Sequence, residues 1–520
     1  MTQGKRSDAT TVLVGPDLAG AGYLSSLKAE VGLQNCAIIS TGTLRLELTP
    51  EAAEVLIASD LLSAQARPVT VRAIYFDTPS RDLSAAGFTL QIREAEGAWV
   101  QIVEASAAPA GLFALPEWRH RIKGEGPVID DSTPLRAVLG SRAHHLAPAF
   151  QLELARQEWQ LQSDGAEVVL TLERGEIMAG DRRAPICELV LTIGHGPASA
   201  LYSLARRLDE LAPLRLGVVS EAERGFRLID PLPLIHKAGQ VALNDDMTAA
   251  DSFRLIVAAC LRQFRLNEPL ISPANPEALH QARVALRRLR SAFSLFRPML
   301  GDDQLTRLSE ESQWLAAVLG EARDIDVLQA RCTTEDQRQR LQPARRTAYD
   351  RAEAVLASRR ARILMPDLVE YAALGPWCAL PSAAEVRQTP IREFAGAALD
   401  RYRRKVKKDG ADLSELGDAA LHEIRKDAKK LRYGAEFFVP LFRGKRRRRA
   451  ARFVAALAEL QDQLGALNDL ATASATLARI GLADDPALIR LTGSDKERRA
   501  LIKAVAEAHE AFVDARRFWR

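Results

Sequence analysis

The sequence predicts an α+β multidomain protein, with an antiparallel β-barrel in the first half and an all-α helical bundle in the second. At 520 residues the chain is too long for one hydrophobic core. Short alternating segments fill the first half, and an apolar period of three to four residues replaces them from about Ala249. The charge changes as well: residues 1–250 hold 23 Lys and Arg against 31 Asp and Glu, whereas residues 251–520 hold 48 against 36.

These patterns divide the chain into four parts. Residues 1–39 form an N-terminal extension without a strong period, residues 40–232 a strand-rich domain, 233–248 a linker, and 249–520 a helical domain of two pseudo-repeated bundles. The formal net charge is −8 in the first half and +12 in the second. This asymmetry indicates that the second half is the part that meets a polyanion.

Composition excludes several classes of protein. We find neither an apolar stretch of about 18 residues nor a secretory signal, which predicts a cytoplasmic protein without a membrane partner. Five cysteines are scattered and never spaced as CxxC, so reduced thiols are expected. His144 and His145 are adjacent and are expected to point apart. We also find no Gly-rich phosphate loop, no His pair at zinc spacing and no nucleophile motif, and we predict no bound metal, no cofactor and no catalytic residue.

The strands of the first half are predicted from alternation of polar and apolar residues, bounded by turn residues. One helix, Ala198–Leu211, follows the strands, and close antiparallel spacing indicates a closed or nearly closed barrel. The predicted strands are Thr43–Leu48, Val69–Phe76, Thr89–Arg93, Trp99–Val103, Gln151–Glu158, Glu167–Leu172 and Glu188–Ile193. In the second half, the prolines are expected to fall between helices, including Pro343 and Pro366.

An internal repeat in the second half carries the main functional signal. His280, Arg283, Arg287 and Arg290 occupy positions i, i+3, i+7 and i+10, and 142 residues later the same offsets hold His422, Arg425, Lys429 and Arg432. On a helix these offsets form one stripe. Arg288 accompanies the first row, Lys426 and Lys430 accompany the second, and Tyr433 ends it.

Such a row of cations is costly without a ligand, because like charges three and four positions apart repel one another. An anionic polymer removes this repulsion and releases its own counterions. Arginine suits phosphate oxygens because its planar fork donates two parallel hydrogen bonds. The alternative is a solvated basic face, or a face neutralised by acids of a neighbouring helix; two rows with identical spacing favour a ligand.

The segments 280–290 and 422–433 resemble the two signatures of the CHAD domain, the conserved histidine α-helical domain. Leu319-Gly-Glu-Ala-Arg-Asp-Ile-Asp and Leu464-Gly-Ala-Leu-Asn-Asp resemble its secondary motifs. The resemblance implies paired helical bundles facing a basic channel that binds inorganic polyphosphate. Arg323 would then add to the basic surface, with Asp324 and Asp326 orienting cations. Two further basic tracts, 401–408 and 445–449, either extend this polyphosphate track, hold nucleic acid, or are solvated charged faces without a ligand.

The first half resembles the CYTH domain, a tunnel that binds triphosphate and in many members hydrolyses it with a divalent metal. The matching segments are Ile74-Tyr-Phe-Asp-Thr-Pro, Gly111-Leu-Phe, Glu117-Trp118 and Ser220-Glu-Ala-Glu-Arg-Gly-Phe-Arg-Leu. The family's Glu-x-Glu-x-Lys strand becomes Thr41, Thr43 and Arg45 here, or Thr43, Arg45 and Glu47 in the alternative register. Two lysines of the family pattern are replaced by glutamates, Glu104 and Glu221, and an acid is replaced by Arg119. The family's Arg-x-Arg strand reads Gln91-Ile-Arg93 here. Of the late Glu-x-Glu-x-Glu strand, only Glu188 is retained.

These departures predict a tunnel without hydrolytic activity, because metal-assisted hydrolysis needs several carboxylate ligands and cations for the phosphates. Surviving acids such as Glu188 and Glu223 are expected to pair with arginines. The resemblances together imply a polyphosphate-binding protein associated with cytoplasmic polyphosphate granules and their proteins. The alternatives are a metal-dependent triphosphatase with an altered tunnel and a nonspecific nucleic-acid binder.

Overall fold

The computed structural model describes residues 12–13, 42–95, 97–105, 117–230, 235–411, 413 and 416–520. The extension 1–39 (apart from Val12–Leu13), the motif 111–113 and the prolines at 231 and 233 lie outside these residues. The chain divides into two compact units, the first formed mainly by residues up to 233 and the second mainly by residues from 234 onward.

The first unit is built on one antiparallel sheet of ten strands, in the order β1-β6-β5-β4-β3-β7-β8-β9-β2-β10. All seven predicted strands are present. Among the described residues the edge strands β1 and β10 do not pair with each other, so hydrogen bonds do not close the sheet into a barrel. The strands are Val12–Leu13, Thr43–Glu47, Arg67–Asp77, Phe88–Ala95, Ala98–Ala105, Glu117–Ile122, Ala147–Ser163, Ala166–Ala179, Arg182–His195 and Arg215–Leu216, numbered β1 to β10.

Local sequence explains the connections of this sheet. Strands β7 and β8 form a hairpin whose turn is Asp164-Gly165, and both residues have positive φ (48° and 74°). This is the conformation that Asp-Gly adopts most readily between two strands. Among the described residues, five helices accompany the sheet: α1 (Pro50–Ile57), α2 (Asp82–Ala85), α3 (Leu135–Leu139), α4 (Ser199–Leu211) and α5 (Glu221–Ile229).

The two faces of the sheet are different. One face packs an apolar cluster that includes Ile74, Phe76 and Ile92. The other face packs a second apolar cluster, with Tyr75, Phe150 and Ala222 of α5, and next to it carries a set of charged side chains. Ser220 is the N-cap of helix α5, and its side chain accepts a hydrogen bond from the backbone nitrogen of Glu223. That N-cap positions α5 over the charged face.

His144 and His145 lie in the 3-10 segment Gly140–His145, and their ring centroids are 4.0 Å apart. The expectation that they point apart was wrong, because consecutive side chains in a 3-10 helix differ by about 120° in direction rather than the half-turn of a strand. Among the described residues there is still no group of three or more His, Cys, Asp or Glu arranged to hold a metal ion.

The second unit is almost entirely helical. Its helices are α6 (Ala249–Asn267), α7 (Pro276–Leu295), α8 (Asp303–Arg331), α9 (Glu335–Ala357), α10 (Arg359–Leu374), α11 (Ala384–Gln388), α12 (Ile391–Asp409), α13 (Asp418–Phe438), α14 (Gly444–Arg479) and α15 (Asp495–Asp514). Consecutive helices pack against each other from α6 to α9 and again from α12 to α15, and α7 also packs against α13. The helix pair α7–α8 and the pair α13–α14 are the structural units that contain the two sequence repeats.

Two prolines depart from the expectation that prolines separate helices. Pro343 lies inside α9 and Pro366 inside α10. A proline inside a helix removes one hydrogen bond, but packing on both sides of Pro343 keeps α9 continuous. Leu341 before it is buried, and Arg345 after it is anchored by Asp326 at 2.8 Å. Tertiary contacts therefore override the local preference here.

Candidate functional site

Helices α7 and α13 place the two rows of cationic side chains in the second unit. On α7, Leu279, Leu286 and Leu289 are buried, and the row that begins at His280 occupies the adjoining face. On α13, Leu421, Ile424 and Leu431 are buried in the same way. The apolar stripe of each helix fixes its rotation, so both rows point toward one space.

The two rows line a single cavity of about 770 Å³ in the helical unit. Eleven of the thirteen predicted binding residues contribute to its wall. These are His280, Arg283, Arg287, Arg290, Arg323, His422, Arg425, Lys426, Lys429, Lys430 and Tyr433.

The other two predicted residues do not line the cavity. Arg288 is only 3% exposed, lies over the ring of Phe437 and donates to Gln263 at 3.2 Å. Arg432 instead pairs with Glu436 at 2.8 Å and donates to Gln461 at 3.2 Å. Adjacent positions on a helix differ by 100°, so Arg288 faces the core although Arg287 faces the cavity. Arg432 keeps the spacing of the row, but an acid one turn later holds its side chain.

The charge of the cavity wall is strongly positive. Nine Lys and Arg side chains line it against three carboxylates, Glu310, Asp324 and Asp469, which is a formal balance of +6. Asp324 pairs with Arg479 at 3.2 Å. Asp326 lies outside the wall, where it holds Arg345 and Tyr349, each at 2.8 Å. Asp326 thus orients a cation, as the motif suggested.

The arginines of the first row are half-buried. Arg283 donates to the carbonyl oxygen of Ala316 at 2.6 Å. Burial, with the neighbouring charge of Arg287, lowers the pKa of Arg283 to about 10. Helix α8 covers this side of the row, which a stripe drawn on one isolated helix does not show.

Two more side chains in the cavity wall have lowered pKa values. Burial, followed by the charges of Arg425 and Arg287, lowers the pKa of Lys429 to about 6. Burial together with Arg323 and Arg287 lowers the pKa of His280 to about 4. Both shifts result from packing cations closely in a partly enclosed space. An anion bound in the cavity would offset the effect of the neighbouring cations and so raise both pKa values.

The structure adds residues that the sequence reasoning missed. Arg297 lines the cavity seven residues after Arg290, so it continues the first row, and this spacing was visible in the sequence. Asn468 also lines the cavity, and its side-chain oxygen is 3.2 Å from Nδ1 of His422. Asn468 stands in the second repeat where Arg323 stands in the first.

Neither basic tract outside the rows lines the cavity. In tract 401–408, Arg401 donates to two backbone carbonyl oxygens of α7, and Lys405 pairs with Asp427 at 2.5 Å. These contacts hold α12 against its neighbours. Tract 445–449 is exposed at the start of α14.

The charged face of the first unit is an ion-pair network. Arg45 lies 3.4 Å from Glu188 and 3.7 Å from Glu173, and Arg224 pairs with Glu47 at 2.9 Å and also with Glu188. Burial raises the pKa of Glu188 to about 7, although Arg224 and Arg45 oppose this. The alternation of β2 puts Arg45 and Glu47 on this face together, while Leu44 and Leu46 are buried on the other.

The replaced family positions belong to the same network. Glu221 pairs with Arg93 at 3.3 Å and accepts a hydrogen bond from the hydroxyl of Tyr75 at 2.8 Å. Arg156 joins Glu221 to Glu173, at 3.8 and 2.6 Å. Burial raises the pKa of Glu104, which also faces this network. Arg119 pairs with Glu117, and Glu223 with Arg227.

Comparisons with known proteins identify both units. The family model of the CYTH domain matches residues 44–226 and that of the CHAD domain matches residues 255–478. An uncharacterised protein of Mycobacterium tuberculosis is 27% identical over 403 residues, which cover 70% of this chain and 75% of the relative. The inorganic triphosphatase of Haemophilus influenzae is 23% identical over 162 residues, which cover 30% of this chain and 44% of the relative.

Among solved structures, the CHAD domain of the plant Ricinus communis is 28% identical, with a TM-score of 0.44; the match covers 53% of this chain and 96% of that one. The two family models agree with the fold, an antiparallel-sheet domain followed by a helical domain. The chain belongs to the proteins in which a CYTH domain precedes a CHAD domain. No helix among the described residues is long and apolar enough to cross a membrane.

Proposed function

We propose that this protein binds inorganic polyphosphate in the cavity of its CHAD domain. The observation that carries the proposal is the wall of nine Lys and Arg side chains against three carboxylates. The three carboxylates are too few to neutralise most of this positive charge. A flexible chain of phosphates supplies many negative charges at short intervals, so it fits a partly enclosed basic cavity better than a single anion does.

The binding test uses the full chain and fluorescence anisotropy of labelled long-chain polyphosphate. A variant with Arg283→Gln, Arg287→Gln and Arg425→Gln should lose most of the affinity. It should unfold no more easily than the native chain, because neutralisation also removes repulsion between cations. The matched control is Lys496→Gln, Arg499→Gln and Lys503→Gln on α15, where all three side chains are exposed. Equal affinity in the two variants would refute the cavity as the site.

Salt provides a second test of the same site. Each phosphate contact contributes roughly 0.7 to the slope of log affinity against log salt for a single-stranded polyanion, so six contacts predict a slope of about −4. A flat response would contradict a site driven by charge. Duplex DNA and single-stranded RNA should compete poorly at physiological salt; strong competition would instead favour the nucleic-acid alternative.

We infer further that the CYTH domain does not hydrolyse triphosphate. Its arginines are already paired: Arg93 with Glu221, Arg156 with Glu173, and Arg224 with Glu47 and Glu188. A triphosphate would have to displace buried carboxylates from these arginines, which costs several kcal/mol per broken pair. The pairing also occupies the carboxylates that would have to hold a divalent metal.

The opposing candidate is a metal-dependent triphosphatase, favoured by the similarity to the Haemophilus influenzae enzyme. Phosphate release from tripolyphosphate with Mg²⁺ or Mn²⁺ separates the two. We expect no release above the protein-free rate. Release in proportion to protein concentration, and lost in Glu188→Gln, would establish the enzyme. Binding of polyphosphate also predicts association with polyphosphate granules and their proteins, which imaging of a fluorescent fusion can test.

A further inference from the structure

Outside the cavity, a dense group of cationic side chains lies at the start of α14. Seven of the ten residues from Arg443 to Arg452 are Lys or Arg, and all seven are exposed. Across the described chain, none of the seven lies within ion-pair distance of a carboxylate. We call residues 443–452 the basic helix start.

These cations oppose the electrostatics of their own helix. The first turns of a helix carry a partial positive charge, which favours acids and disfavours cations. The equivalent start in the first repeat follows that rule. The offset that relates Leu319 to Leu464 places Asp302 and Asp303 opposite positions 447 and 448, and Asp302 caps α8 by accepting from the backbone nitrogen of Leu305 at 2.8 Å. The fold itself therefore does not require cations at this place.

The basic helix start is separate from the cavity but lies within reach of a long ligand. Arg432, next to the lining residue Tyr433, donates to Gln461. Arg452 precedes Gln461 by nine residues, which at a rise of about 1.5 Å per residue is about 14 Å along α14. Tripolyphosphate held in the cavity would not span that gap, whereas a long chain would.

The chemistry of the patch favours a polymer of phosphates over one of nucleotides. Proteins that bind single-stranded nucleic acid combine basic grooves with aromatic side chains on which bases stack. No aromatic residue lies between 443 and 452. The flanking Phe442 and Phe453 are 1% and 0% exposed, so they cannot serve as a stacking surface. The patch offers charge and guanidinium donors alone.

We propose that the basic helix start is a second anion site, which binds the part of a long polyphosphate chain that extends beyond the cavity. This rests on the proposed binding function and deepens it, because it makes the protein selective for long chains. Two linked contacts on one ligand raise the overall affinity beyond either contact alone.

The test compares tripolyphosphate with long-chain polyphosphate on the full chain. In the patch variant, Arg446, Arg447, Arg448 and Arg449 are changed to Gln. Affinity for the long chain should fall at least about tenfold and the salt slope should shrink by about 3, since each lost phosphate contact removes roughly 0.7. Tripolyphosphate affinity should not change. The control with Lys496, Arg499, Lys503 and Arg516 changed to Gln removes the same charge from exposed side chains elsewhere.

The outcomes separate the two proposals. If the patch variant binds the long chain as tightly as the control does, the second site is refuted and the cavity stands. If the native chain binds neither ligand, both proposals fail. If the patch variant loses RNA or DNA binding but keeps long-chain polyphosphate, the basic helix start is a nucleic-acid site and our assignment is wrong.

Discussion

The guanidinium of Arg283 lies directly against Gly320 on the neighbouring helix. Arg283 donates to the carbonyl oxygen of Ala316, one turn before Gly320, and a Cβ added at Gly320 would collide with Nη1 of Arg283. The equivalent glycine of the second repeat, Gly465, would meet nothing within 4 Å. Gly320 thus provides the space in which a cavity arginine is held.

Gly320→Ala should therefore weaken polyphosphate binding without changing any charge. The added methyl displaces the Arg283 guanidinium, and losing one charge-assisted hydrogen bond costs about 1.5–3 kcal/mol, which is about tenfold or more in affinity. Anisotropy titration measures this. Gly465→Ala is the matched control and should bind normally, while the free energy of unfolding rises by about 0.5–1 kcal/mol because alanine favours the helix. Normal binding by both variants would mean that Arg283 does not contact the ligand.

The lowered pKa of Lys429 predicts that the protein takes up a proton when it binds polyphosphate. Its pKa of about 6 leaves it mostly neutral at pH 8, and a phosphate chain favours the charged form. Affinity should therefore rise as the pH falls from 8 toward 6, and Lys429 should contribute no further rise below 6, where it is already protonated before binding. Interior phosphate units do not titrate in this window.

Lys429→Arg is the decisive control for this dependence, because arginine stays protonated throughout the window. Its affinity should vary little between pH 6 and 8. Calorimetry in two buffers of different ionisation enthalpy should reveal proton uptake at pH 8 in the native chain and less in the variant. Equal uptake in both would assign the proton to another group.

Arg323 makes the two repeats unequal. It lowers the pKa of His280, whereas Asn468 occupies its place beside His422. Arg323→Asn should raise the pKa of His280 by about one unit, though burial will keep it below the ordinary value. NMR titration of histidine rings measures the shift, and the His422 signal serves as the internal reference. An unmoved His280 titration would show that burial alone sets its pKa.

The fold was predictable where a local pattern decides it. Alternation located seven strands, and Asp164-Gly165 marked a hairpin whose φ values fit that dipeptide. Strand β6, with Arg119 and Arg121 around Trp118 and His120, lacks clear alternation and was missed. The sequence also could not predict whether hydrogen bonds close the sheet into a barrel, because closure depends on the pairing of short edge strands rather than on any one segment. Likewise, contacts of Arg345 that keep α9 continuous past Pro343 are invisible locally.

The site shows the same division. Spacing placed His280, Arg283, Arg287 and Arg290 on one stripe, and the cavity wall contains all four. Spacing alone could not separate Arg288 from Arg287, since the rotation of α7 against Phe437 decides which of them is buried. Arg156 and Glu173 of the ion-pair network were also missed, because their partners are supplied by other strands and by α5.

Glu221 provides the test of the network in the first unit. It neutralises Arg93 and, at a longer distance, Arg156, and Tyr75 donates to it. Glu221→Gln leaves buried guanidinium groups without a charged partner, so the free energy of unfolding should fall by roughly 3 kcal/mol. Tyr75→Phe removes one hydrogen bond and should cost about 1 kcal/mol. Urea unfolding followed by circular dichroism measures both.

The same variant tests the proposal that internal ion pairs keep triphosphate away from the arginines of the first unit. If carboxylates occupy the arginines, freeing Arg93 and Arg156 should create an anion site. Tripolyphosphate without metal should then raise the unfolding temperature of Glu221→Gln more than that of the native chain or of Tyr75→Phe, in a background with Arg283, Arg287 and Arg425 changed to Gln. A similar rise in all three would show that the native network already admits the anion, and the internal pairing would not explain a lack of hydrolysis.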